Sequence, residues 1–254
     1  MAASLRSAAS TATALLLLGA CAPSSDELAG QVAGEPGVLG VRVTEEDVAD
    51  DDLPLGDPPR RVDVRVAADA SAAQVRAVFD AYAEAVEDGH LVSVTVALDG
   101  PRDVVLATGE GVRVTGDAVE DLVDAHRDED VLAYRREAYP VLPGVSVDLV
   151  PSAGLDGVLA WAHRYDDAAD VDLVAAEAGA FLLVRDSVNE DLRVTSAREA
   201  LALRVDDSVG LRGARIGGRG PLELVVATDD VAAARRLVAR APEGALLKRV
   251  VVTS

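Results

Sequence analysis

The chain reads as an α+β protein in which β-α-β-β-α units recur, with helices on one face of a mainly antiparallel sheet. Three observations predict this. Short segments alternate apolar and polar residues, as Val62-Asp63-Val64-Arg65-Val66 does, which is the pattern of a half-buried strand. Between them lie stretches whose apolar residues fall at helical spacing, as Val75, Val78, Phe79, Tyr82 and Val86 do. The order of these segments then repeats from openings near residues 62, 145 and 222, a period of about 80 residues with a half-length last copy. Strands that alternate need one solvated face, so the helices belong on the other. A β-α-β followed by another is the ferredoxin-like arrangement, and the units are expected to be two-layer sandwiches of that kind.

Taken in order, residues 62–144 form the first unit. Its opening strand is followed by Ser71 with Gln74, a capping-box pair ahead of the first helix. Val92, Val94 and Val96 alternate again, and Val104 to Ala107 follow the turn signal Asp99-Gly100-Pro101. Val112-Arg113-Val114-Thr115 reads as a strand before a helix on Val119, Leu122 and Val123, with Asp117 and Glu120 at its start. Residues 145–221 repeat this order. Val145 to Leu149 is a strand; Leu155, Val158, Leu159 and Ala162 share a helix face; Val171 to Val174 and Phe181 to Val184 pair as a hairpin. Leu192-Arg193-Val194-Thr195 reads as a strand before a helix capped by Ser196 with Glu199. Residues 222–254 give a strand at Leu222 to Val226, a helix through Val231, Leu237 and Val238, and a last strand at Val250 to Val252. Residues 21–61 are rich in Pro, Gly and acidic side chains and read as a self-repelling tether, with a candidate strand at Val38 to Thr44.

The start of the chain carries an address. Residues 1–20 combine Arg6, an apolar stretch from Ala12 and small residues at the end, which is the build of a secretory signal peptide. That stretch falls short of the ~20 residues needed to span a bilayer. It closes on Leu18-Gly19-Ala20-Cys21, and Cys21 is the single cysteine of 254 residues. The tetrapeptide resembles the lipobox of bacterial lipoproteins. The resemblance implies cleavage before Cys21, a diacylglyceryl thioether on its sulfur, and an exported protein held in the lipid bilayer by acyl chains on the outer face of the cell membrane. Each buried methylene contributes ~0.8 kcal/mol, so two or three chains anchor stably. With no second cysteine there is no disulfide, and the fold must rest on its core.

Composition narrows the function. The chain holds 24 Lys+Arg against 44 Asp+Glu, a formal charge of −20. Such a surface repels phosphate backbones, which excludes nucleic acid as a partner and argues against electrostatic membrane docking. Aromatic residues are 3% of the chain, too few for stacking platforms that hold sugars or bases. No cofactor motif is recognisable.

Three weak sites stand out. His126-Arg127-Asp128 and His163-Arg164-Tyr165-Asp166-Asp167 place histidines beside carboxylates, a pattern for a divalent metal or a general base. Both follow predicted helix ends, where charged residues are ordinarily solvated, and neither fits a calcium loop. Arg212, Arg215 and Arg219 lie among glycines in the one locally basic stretch and are candidates for a backbone nest that grips an anion. A glycine-rich turn, its arginines paired with the protein's own acid, is the plainer reading. No catalytic residue is assigned. The expectation is a non-catalytic binding or scaffolding lipoprotein of the cell envelope with an envelope protein as partner. The alternatives are an envelope hydrolase or metal-dependent enzyme at the histidine clusters, or an anion-binding lipoprotein.

Overall fold

The computed structural model describes residues 25–45, 60–85, 92–109, 112–217, 220–247 and 249–254. The expected signal peptide, Cys21, Val86, His90 and Arg219 lie outside these residues. Eleven strands form a single sheet in which each pairs with the next along the chain. They are β1 (Val38–Glu45), β2 (Arg60–Val66), β3 (Val92–Leu98), β4 (Asp103–Gly109), β5 (Val131–Ala138) and β6 (Gly144–Leu149). After these come β7 (Leu173–Ala178), β8 (Phe181–Asp186), β9 (Leu211–Gly217), β10 (Leu222–Val226) and β11 (Val250–Thr253). Helix α1 (Ser25–Val32) precedes β1. Five helices bridge parallel pairs: α2 (Ala72–Ala85), α3 (Gly116–Arg127), α4 (Gly154–His163), α5 (Leu192–Val209) and α6 (Val231–Arg240). Pairs joined through a helix are parallel, and the other five are antiparallel.

Register fixes which side chains share a face. Val41, Val64, Val96, Leu106, Arg136, Val145, Val174 and Arg185 stand opposite one another in a single row from β1 to β8. The apolar members of β2 to β11 on this side are buried and form one core with the helices. The other side carries Arg42, Asp63, Thr95, Ala107 and Glu137 as the corresponding row on β1 to β5, and among the described residues no helix covers it. Helix α3 reaches the covered face through Asp121 and Arg136, and α5 reaches it through Glu199 and Arg185. Helix α4 touches it through Trp161 against Tyr134, and α2 packs beside α3.

This arrangement sets the handedness of the connections. Each hairpin reverses strand direction, yet the chain always steps to the next position and every bridging helix lies on the same face. Successive β-α-β connections must therefore alternate in hand, and at least two of the five run against the right-handed rule that βαβ units otherwise follow.

Local signals explain most elements. Ser71 and Gln74 make the expected reciprocal capping box, with Ser71 N–H donating to Gln74 Oε1 at 2.9 Å and Gln74 N–H to Ser71 Oγ at 3.3 Å. Behind it Val75, Val78, Phe79 and Tyr82 are buried.

Several expectations are corrected. The sheet is half parallel rather than mainly antiparallel, and its strands run in sequence order, without the interleaving of a ferredoxin-like sandwich. The parallel-pair units open at Arg60, Asp103, Gly144, Phe181 and Leu222. The structural repeat is therefore about 40 residues, half the period read from sequence. The segment read as a tether holds α1 and β1, because Val32 is fully buried and Val38, Val41 and Val43 pair with Val66, Val64 and Val62. Val112 to Val114 is not a strand but the approach to Thr115, which caps α3 by accepting from Ala118 N–H. Leu192 to Thr195 is the first turn of α5, started by Asp191, whose carboxylate accepts from Arg193 N–H. Strand β5 had no sequence counterpart, since its inward Arg136 breaks the alternation.

Residues Leu211–Gly217 of the glycine-rich stretch form a strand, β9, rather than a turn. Its close neighbours exclude a side chain at Gly217, where φ is +84° and a Cβ would fall on the Val184 carbonyl. Gly217→Ala is expected to cost on the order of 3 kcal/mol by adding this clash to left-handed strain. Urea unfolding of the variant beside the parent measures it.

Candidate functional site

The most chemically distinctive region surrounds the loop that follows α4. Trp161 and Ala162 bury the end of that helix, and Tyr165 turns back into the core beneath the loop. Two clefts flank it. One, of about 610 Å³, is lined by Thr115, Asp117, Asp121, Arg136, Arg164 and Asp167 among others; the second, of about 290 Å³, by Asp166, Val171, Asp172, Arg185, Ser187 and Leu192. Tyr165, Ala168 and Ala169 line both.

Each cleft has a buried arginine at its base. The Arg136 side chain is 3% exposed and pairs with Asp121 of α3 at 2.5 Å and with Asp170 of the loop at 2.7 Å. Arg185 is 13% exposed; it pairs with Glu199 of α5 at 2.9 Å and also with Asp166. A guanidinium inside an aliphatic layer needs this neutralisation, because an unpaired buried charge is very unfavourable. Asp166 and Asp170 come from the same loop, so the loop is fastened to the sheet at both shoulders.

Between the arginines the phenols of Tyr134 and Tyr165 lie 3.4 Å apart, and Trp161 is tilted against Tyr134 with ring centroids 6.0 Å apart. Burial pushes the Tyr134 phenol up to about 12, and burial with Tyr134 beside it raises Tyr165 further still. Both are neutral hydroxyls at physiological pH, able to hold position and not to act as bases. Burial raises the Asp121 carboxyl despite Arg136 and Arg164 nearby. Partial burial also works against ionisation of Asp166, but the hydrogen bond from His163 and the Arg185 guanidinium hold its carboxyl below the usual range.

The sequence candidates fall in different places. His163 meets Asp166 at 2.8 Å and lies 3.6 Å from Glu199, but Arg185 sits among these carboxylates and satisfies them. Asp167 is exposed on the loop beside the Arg136 cleft. His126 closes α3 against Gly100, and Asp128 accepts from Asp130 N–H, so neither faces the His163 group. Among the described residues no three His, Cys, Asp or Glu side chains gather as a metal set. Arg212 and Arg215 are exposed on β9; Arg215 lies opposite Glu223 of β10 and Leu182 of β8, Arg212 falls at the register shift against β10, and Arg219 lies outside the described residues. Of the residues that do assemble, Asp166 and Asp170 are legible as possible oxygen ligands and Tyr165 and Glu199 in other roles, whereas Asp121, Tyr134, Arg136 and Arg185 are not marked as a site by their sequence neighbours. A signal was present: Phe181, Leu183 and Arg185 share the inward parity of one strand, which marks the arginine as buried and in need of a partner.

Compared with protein-family models, curated proteins and solved structures, the chain has no significant match.

Glu199→Ala leaves Arg185 only the half-exposed Asp166 as an ionic partner and is expected to destabilise by ~2 kcal/mol, whereas Arg185→Met combined with Glu199→Leu recovers most of the loss. Denaturant titration of the three chains measures the difference. Burial, then Arg102 and Arg127, hold His126 below its ordinary 6.5. The unfolded chain then takes up its proton first, so this group's contribution to stability is present above that value and fades as pH falls below it. His126→Gln is expected to flatten the fall in melting temperature between about pH 7 and pH 5.

Proposed function

We propose that the chain is a lipoprotein of the bacterial cell envelope, exported, held by acyl chains on Cys21, and acting as a non-catalytic binding or scaffolding module. The carrying observation is the tetrapeptide Leu18-Gly19-Ala20-Cys21, which sets the only cysteine at the position where lipid transfer requires one. Among the described residues no helix is long and apolar enough to cross a membrane, which is compatible with a lipid anchor. The fold supports a binding role through its one-sidedness. A sheet covered on one face only leaves its other face and its ends free for partners. Its arginines, histidine and carboxylates satisfy one another in ion pairs around the low-exposure guanidinium groups of Arg136 and Arg185, an arrangement suited to holding a rigid surface.

The anchor and the fold together set a distance. Helix α1 opens at Ser25, and four residues of chain reach at most about 14 Å. An acylated Cys21 therefore holds the α1–β1 edge close to the bilayer surface, instead of on a long tether.

Growth with an alkyne-tagged fatty acid tests the anchor directly. The parent is expected to take up label and to partition with membranes, while Cys21→Ser loses the label and the membrane partition together. A labelled Cys21→Ser chain, or an unlabelled parent in the cell sap, contradicts the reading.

A further inference from the structure

At the end of the sheet where β5 turns into β6 and β8 leaves for α5, large apolar side chains stand in solvent. Val141 is 76% exposed, Leu142 49%, Val188 61% and Leu192 53%. The turns that carry them are joined: the Pro143 carbonyl accepts from Asp172 N–H at 2.8 Å, and the Asp172 carbonyl accepts from Ser187 N–H at 2.8 Å. Two strand spacings, about 10 Å, therefore separate the two rims.

Both rims are held in place. The Asp186 carboxylate accepts from the backbone N–H groups of Val188 and Asn189, and Asp191 caps α5 so that Leu192 is its first residue. Leu142 sits at φ +54°, the sole non-glycine residue with positive φ among those described. A leucine there is disfavoured by its own Cβ, and glycine would be favoured. An apolar residue kept in a disfavoured backbone state and pointed at water is the mark of a surface used for something other than folding. Beside the second rim is the 290 Å³ cleft, with Leu192, Val171 and Val174 in its lining, large enough for one aliphatic side chain. Asp166 and Asp172 line it beside Arg185, and Asp186, Glu190 and Asp191 adjoin its Ser187 and Leu192 along the chain, with Asp191 paired to Arg193.

We propose that this end of the sheet docks a partner polypeptide whose contact segment sets an aliphatic side chain between lysines or arginines. The aliphatic group fills the Leu192 cleft, the segment that carries it lies across Val188, Val141 and Leu142, and the flanking cations meet the acidic groups beside the cleft. Charge selects against the other occupants: a second copy of a chain at −20 is repelled, as is an anionic lipid surface. The inference rests on the binding-module reading and names its surface and the chemistry of its partner.

The test is photo-cross-linking in cells from the full acylated chain, with the photoreactive amino acid placed at position 188 or, on the open face, at position 135. The expected result is an adduct from position 188 alone, mapping to a partner fragment in which Lys or Arg adjoins an aliphatic residue. Leu142→Gly is expected to reduce the yield roughly fivefold or more without lowering the melting temperature, since it removes contact area and relieves strain. An adduct with a second copy, with lipid or with an acidic fragment overturns the proposal, as does a yield unmoved by Leu142→Gly. A partner captured from position 135 alone overturns this site and leaves the binding-module reading standing. Silence from both positions removes both.

Discussion

Two arginines stand in a row of valines and leucines on the covered face of the sheet, and much of the molecule is arranged around neutralising them. Arg136 and Arg185 lie three strands apart, with Val145 and Val174 between them. Neither charge can be left unpaired in that layer. Helices α3 and α5 each supply one carboxylate, Asp121 and Glu199, and the loop after α4 supplies Asp166 and Asp170. Helix α4 is just under three turns long, and this loop ties its end to its neighbours. The four carboxylates therefore fix the relative positions of three helices that the aliphatic contacts alone would allow to slide. Tyr165, buried under the loop, fills the gap between the two ion pairs.

Covering one face only has consequences beyond the core. A parallel pair is ordinarily buried on both sides, whereas helices cover the pairs here on one side among the described residues. Their outward positions mix polar residues such as Asp63 and Glu223 with apolar ones such as Val105 and Leu182. The alternating strand direction then forces the unusual alternation of crossover hand. It also separates the two kinds of surface the chain presents. The open face bears mixed charge over small residues such as Ala97 and Ala107, whereas the two most exposed large apolar groups, Val141 and Val188, stand in turns at one end of the sheet. A shallow groove of about 540 Å³ lies on the open face near Arg42, Arg61 and Arg65. Asp63 and Asp99 answer two of these arginines within the protein itself.

The legible parts of the fold were those whose cause is local. Ser71 with Gln74 announced α2, and the parity of Val62, Val64 and Val66 announced a half-buried strand. Strand β5 and the start of α5 were misread because their defining residues serve distant partners. Arg136 looks like a surface residue until Asp121 and Asp170 are placed against it, and Glu199 looks like a capping residue until Arg185 is. The glycines of β9 look like a turn until Val184 and Ala180 are found where side chains would go. The same holds for the candidate site: the histidines drew notice through their sequence neighbours, while the groups that assemble come from β5, α3, β8, α5 and one loop.

By itself the sequence determined that strands and helices alternate, that helices cover one face of the sheet, and that a single cysteine sits in a lipobox-like setting. These rest on periodicity and on residues adjacent in the chain, which act over one or two turns. Only the tertiary structure decided that the strands join in chain order, that half the pairs are parallel, and that the repeat is half as long as the apolar pattern suggested. Those outcomes depend on which surfaces meet and which buried charges find partners, and both are settled between residues tens of positions apart, where no local pattern reaches.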